Sequence, residues 1–183
     1  MSSFATAQQT FDQIEQELGV GMVPRIFKLF ESQPLLLAHL WGQFRGVVLQ
    51  GRLPRVLKEM IGLVIAKANH CDYVRLVHLH RLSLQGVEPD VLEAVSRGNY
   101  ESAQISILAQ KALTFVALAT STRAAYGNNL DSSMWEGLRQ QTTQILNTMN
   151  LTEEDKIELI ATLALFEQLC ALANLLALDP SQP

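Results

Sequence analysis

Proline and glycine cut this sequence into pieces, and nearly every piece repeats its apolar residues with helical period. Pro24, Pro34 and Pro54 each head an apolar segment, where a first-turn N–H has no helical partner to lose. Gly19, Gly51, Gly86 and Gly98 stand where such segments end. No stretch alternates apolar and polar residues as a half-buried strand must, so an all-α fold is expected. The predicted helices begin with one over about 5–18. "RIFKLFES" follows Pro24, "LLLAHLWGQFRGVVLQ" follows Pro34 and "RVLKEMIGLVIAKA" follows Pro54. Asn69 reads as a break and an N-cap that opens "CDYVRLVHLHRLSLQ", and a short helix lies around "PDVLEAVSR". "SILAQKALTFVALATSTRAAY" is a long helix stopped by Gly127. "SMWEGLRQQTTQILNTM" starts with Ser133 and Glu136 in capping-box spacing, and Trp135 there is read as a staple to a neighbouring helix. Thr152, ahead of Glu153, Glu154 and Asp155, caps the last helix. With no linker or repeat, residues 1–183 read as a single domain.

Composition narrows the function. The chain is 48% hydrophobic and only 17% charged, a surplus that suits subunit faces as well as a core, so a homo-oligomer is expected. A net charge of -4 without a basic stripe argues against nucleic acid as a partner. The most apolar run, 160–178, carries Glu167, Gln168 and Asn174, which favours a buried or interfacial helix over a membrane span. The first residues lack the basic-then-apolar pattern of a signal peptide, so a cytoplasmic location is expected. Cys71 and Cys170 do not make a disulfide framework.

The reactive side chains gather in "ANHCDYVRLVHLH", residues 68 to 80. Seven residues are close to two helical turns, so Cys71 and His78 share one face with Val74 between them. His80 lies roughly 160° from His78, so the two cannot hold one metal from one helix, and neither a metal nor a cofactor is expected. A cysteine in a first helical turn has its thiolate favoured by unpaired N–H groups. His78 could pair with it or move its proton, and Glu59 on the preceding helix could orient the imidazole. The plainer reading makes Cys71 a small core residue, His78 a satisfied core histidine and Glu59 a solvated charge beside Lys58.

The stretch 53–95, "LPRVLKEMIGLVIAKANHCDYVRLVHLHRLSLQGVEPDVLEAV", resembles the core of the carboxymuconolactone decarboxylase and AhpD-like alkylhydroperoxidase superfamily, with flanks similar to its peroxidase-related branch. That pattern has a glutamate, a cysteine twelve residues later, Cys-x-x-Cys, three residues and a histidine. Glu59, Cys71 and His78 take those places as catalytic residues, Tyr73 is the aromatic inside the motif, and the motif core runs over about 53–97. The resemblance implies an all-α AhpD-like domain whose motif helix packs on the preceding apolar helix, assembled as a dimer, trimer or hexamer. His70, Tyr73 and Val74 would line the pocket.

The departure from the pattern is Val74, which stands where the family has its second cysteine. An internal dithiol cycle is then not expected, because Cys170, on an apolar helix, reads as core and out of reach. Three functions remain open. One is a one-cysteine peroxidase whose Cys71 is oxidised and then reduced by an external thiol. Another is acid–base chemistry by His78 and Glu59, as in the decarboxylase branch. The last is a non-catalytic relative with a decayed site. His39 reads as packing or interface, and Arg75 and Arg81 as surface ion pairs or anion binders.

Overall fold

The computed structural model describes residues 6–126 and 132–181, and within them the chain is helical with no strand. The helices are α1 (Ala7–Leu18), α2 (Arg25–Lys28), α3 (Pro34–Phe44), α4 (Arg55–Ala68), α5 (Asp72–Leu84), α6 (Pro89–Arg97), α7 (Ile107–Tyr126), α8 (Ser132–Asn147) and α9 (Glu153–Leu175). A π-helical turn, Arg45–Leu49, continues α3. The expected punctuation holds. Pro34 and Pro89 occupy first turns, Gly98 ends α6 in the left-handed conformation, and Thr152 caps α9 in a capping box with Asp155. Gly127 and the side chains of Ser133 and Trp135 lie outside the described residues.

The core is organised around α4, which packs against α5, α7 and α9. Every residue from Leu57 to Ala66 is buried, so α4 has no solvent face. A helix enclosed on all sides should be apolar all round. This one carries Lys58 and Glu59 side by side at its centre, and both are inaccessible. Glu59 is therefore not the solvated charge that its neighbour Lys58 suggested. Two buried charges in succession must each be neutralised by partners from other helices, and they are.

Lys58 turns toward the loop before α4. Its ammonium pairs with Glu158 of α9 and donates to the Val47 carbonyl at 2.7 Å. Glu158 in turn accepts the backbone N–H groups of Arg52 and Leu53 at 2.7 and 3.0 Å. A Cβ on Gly51 would overlap both the Glu158 carboxylate and the Lys58 ammonium, so that position has to be glycine.

The corner between α4 and α5 differs from the expected N-cap at Asn69. Asn69 is the C-cap of α4, and Cys71 is the N-cap of α5. The Cys71 N–H donates to the Ala66 carbonyl at 2.9 Å and the His70 N–H to Lys67 at 3.2 Å, the paired bonds of a Schellman ending. His70 is the left-handed residue that this ending requires, with φ 49°. The α4 ending consumes the residues that sequence reading assigned to the start of α5.

Candidate functional site

Glu59 and His78 face each other across the α4–α5 interface, as the resemblance implied. His78 Nδ1 and Glu59 Oε2 are 2.6 Å apart, and the residues are 4% and 1% exposed. The local sequence makes room for this contact. Gly62, one turn beyond Glu59, lies directly under the imidazole, and a Cβ there would overlap His78 Nε2. Phe166 of α9 packs on the imidazole in a T-shaped arrangement, 4.6 Å between centroids.

The second oxygen of Glu59 is less well served. Among the described residues Oε1 has no hydrogen-bond donor, and two guanidinium groups approach it, Arg81 at 3.6 Å and Arg55 at 3.8 Å. Burial pushes the Glu59 carboxyl up. The hydrogen bond and charge of His78, then the charges of Arg81 and Arg55, more than reverse this and hold it below 4.5. Glu59 is thus a carboxylate at neutral pH, and His78 Nδ1–H donates to it. Arg81 also lies over the Phe44 ring, 5.9 Å from its centroid.

The pair opens on a cavity of about 40 Å³. Pro24, Ile26, Phe27, Phe44, Val74, Val77, Phe166 and Leu169 supply its apolar walls. Glu59, Tyr73, His78 and Arg81 complete the lining, yet the surface they present to the cavity is almost entirely apolar. Tyr73 is held at the far side by accepting the Ile26 N–H at 3.3 Å, a bond that does not use its own hydroxyl hydrogen. Of the three residues expected to line the pocket, Tyr73 and Val74 do so. His70 is exposed in the corner and does not, because the helix ending there turns its side chain to solvent.

Cys71 is 1% exposed and is not among the cavity-lining residues. Two turns of α5 separate it from His78, so the imidazole does not reach its sulfur directly. Its immediate neighbour is the cysteine that sequence reading placed out of reach. Cys170 of α9 is fully buried, as a core residue should be, yet it lies beside Cys71. This contact does most to lower the Cys71 thiol to about 7. Burial and Asp72 oppose it, and the backbone N–H groups of Val74 and Tyr73, turned toward the sulfur, assist it. The same contact, with burial and the nearby Glu167, pushes the Cys170 thiol up. Nothing in the local pattern around Cys170 points to this neighbour. The only signal was the presence of a second cysteine in a chain with two.

Residues 35–116 match the carboxymuconolactone decarboxylase family. The matched stretch contains Glu59, Cys71 and His78. Solved structures with the same fold include an uncharacterized peroxidase-related protein from Silicibacter sp. TM1040, with 22% identity, TM-score 0.70, and coverage of 98% of this chain and 87% of that one. Another is an uncharacterized peroxidase-related protein from Ralstonia eutropha JMP134 with an alkylhydroperoxidase AhpD core, at 23% identity and TM-score 0.65, covering 92% and 81%. A third is the debrominase Bmp8 bound to 2,3,4-tribromopyrrole, at 20% identity and TM-score 0.69, covering 92% and 81%. No curated protein matches the chain.

Proposed function

We propose that this chain is a member of the carboxymuconolactone decarboxylase and AhpD-like superfamily and an acid–base enzyme that moves a proton on a small, mostly apolar substrate, with Glu59 and His78 as its catalytic residues. The observation that carries this reading is the division of the motif. Glu59 and His78 meet at 2.6 Å on the cavity wall, whereas Cys71 stands outside it. A histidine whose Nδ1–H is held by a carboxylate has a fixed tautomer, leaving Nε2 to accept a proton from a carbon beside a carbonyl and return it. Arg81 on the same wall suits an anionic substituent, and the Tyr73 hydroxyl a carbonyl oxygen. Val74 supports the same division, because it puts a methyl-bearing wall where a dithiol enzyme of this family would carry its second sulfur.

The test is solvent deuterium incorporation into a panel of small cyclic keto acids, followed by mass spectrometry. The expected result is incorporation by the native protein, lost by at least 100-fold in His78→Gln and in Glu59→Gln, in line with general acid–base contributions of about 10²–10⁴. No incorporation above the protein-free rate, or incorporation that survives both His78→Gln and Glu59→Gln, would overturn the reading. Homo-oligomerisation belongs to the proposal. Leu35, Leu36, Ile157 and Ile160 are large apolar residues that the monomer leaves exposed. A monomeric mass by light scattering would count against it.

A further inference from the structure

The acid–base reading leaves the two buried sulfurs without a role, and their placement is not incidental. Cys170 and Asn174 lie one turn apart on the same side of α9. Asn174 Nδ2 donates to the Asn69 carbonyl at 3.0 Å, which pins that side of α9 onto the α4–α5 corner two residues from Cys71. The register set by this bond brings the two thiols against each other. The Cys71 sulfur also sits at the start of α5, where the Tyr73 and Val74 N–H groups face it. Negative charge is therefore favoured on Cys71 over Cys170.

We propose that Cys71 and Cys170 form a reversible disulfide site, which a hydroperoxide closes and an external thiol reopens, covalently joining α9 to the α4–α5 corner. The Cys71 thiolate attacks the terminal oxygen of the hydroperoxide. The O–O bond breaks, the alkoxide takes a proton from water, and Cys71 becomes a sulfenic acid. The Cys170 sulfur then attacks that of Cys71; the S–S bond forms, and the departing hydroxide leaves as water with the Cys170 proton. Two thiols are oxidised by two electrons while one hydroperoxide becomes alcohol and water. Two equivalents of external thiol reverse the change. Val74 and Leu169, one turn from Cys71 and one residue from Cys170, line the cavity, which gives an oxidant its approach. The oxidant must therefore be small enough to enter through the cavity.

The experiment treats the folded full-length protein with a modest excess of hydrogen peroxide, alkylates remaining thiols and measures intact mass. The expected result is loss of two hydrogens and of both alkylatable thiols, a linked peptide pair containing Cys71 and Cys170, and a higher unfolding temperature, all reversed by dithiothreitol. Cys170→Ala, checked for fold by circular dichroism, should instead gain oxygen on Cys71 and form no internal bridge. Two thiols that stay alkylatable in the oxidant-treated native protein overturn the proposal, as does oxidation of Cys71 beyond sulfenic acid without a bridge. Neither result bears on deuterium incorporation by Glu59 and His78, so the two proposals fail separately.

Discussion

Lys58 and Glu59 are neighbours on one helix, equally buried and oppositely charged, yet they are treated differently by the fold. Lys58 is closed off. Its ammonium has Glu158 and the Val47 carbonyl, and Glu158 has two further backbone donors, so the network ends within itself. Glu59 is left open. One oxygen is taken by His78, and the other has only the looser approach of two guanidinium groups beside a cavity. A complete buried network holds a loop in place, whereas an incomplete one leaves an acceptor without a committed donor. Burial and charge alone do not separate a structural ion pair from a reactive one. What separates them is whether every polar atom already has a partner.

The largest expected effect lies on the closed side. Lys58→Met strands the Glu158 carboxylate, and breaking a largely buried pair from one end should cost about 3 kcal/mol. Urea unfolding would measure this, and Lys58→Met combined with Glu158→Leu should recover much of it. A loss for the single variant below about 1 kcal/mol would dissolve the contrast, since partners of a closed network are worth more than those of an exposed surface pair.

A smaller effect is expected on the open side. Gly62→Ala pushes a methyl group into the space of the His78 ring, an overpacking of about 1–3 kcal/mol. Proton-transfer activity should fall further than stability does, because the ring moves away from Glu59. Full activity with an undisturbed His78 imidazole resonance by NMR would show that the Gly62 contact does not position the ring.

The smallest effect is on pH dependence. Glu59 and Glu158 both have folded-state values held below 4.5. A carboxyl lowered in this way contributes stability that is fully present above its unfolded value and is lost as pH falls through the folded one. Native stability should therefore decline on acidification below about 4.5. Glu59→Gln, whose amide oxygen can still accept from His78 Nδ1–H, should flatten that acid limb. An unchanged limb would mean that the charge on Glu59 contributes little to folding.

These features were unequally legible in the sequence. Local signals carried the helices, because Pro34, Gly98 and Thr152 act on bonds within a few residues of themselves. The Glu59–His78 meeting was legible through motif spacing, since adjacent antiparallel helices convert sequence offset into position. His70 was misread because a left-handed helix ending is usually written with glycine, as it is at Gly86 and Gly98. Lys58 with Glu158, and Cys71 with Cys170, join α4 or its corner to α9 across most of the chain. Such pairs depend on how α9 lies over α4, which periodicity does not encode.

The walls of the cavity differ in the same way. The longer helices α3, α4, α5 and α9 form most of them, but Ile26 and Phe27 come from α2, a single turn, and Pro24 is its N-cap. One isolated turn gains little from helical cooperativity and is held by packing and by the bond from the Ile26 N–H to Tyr73. A space of about 40 Å³ has room for a few water molecules, not for a ring-sized guest. Anything larger enters only when a wall yields, and α2 has the least to lose by yielding. Association with this protein should then run at the pace of that turn's opening rather than at the rate of encounter, and departure should be gated by the same event.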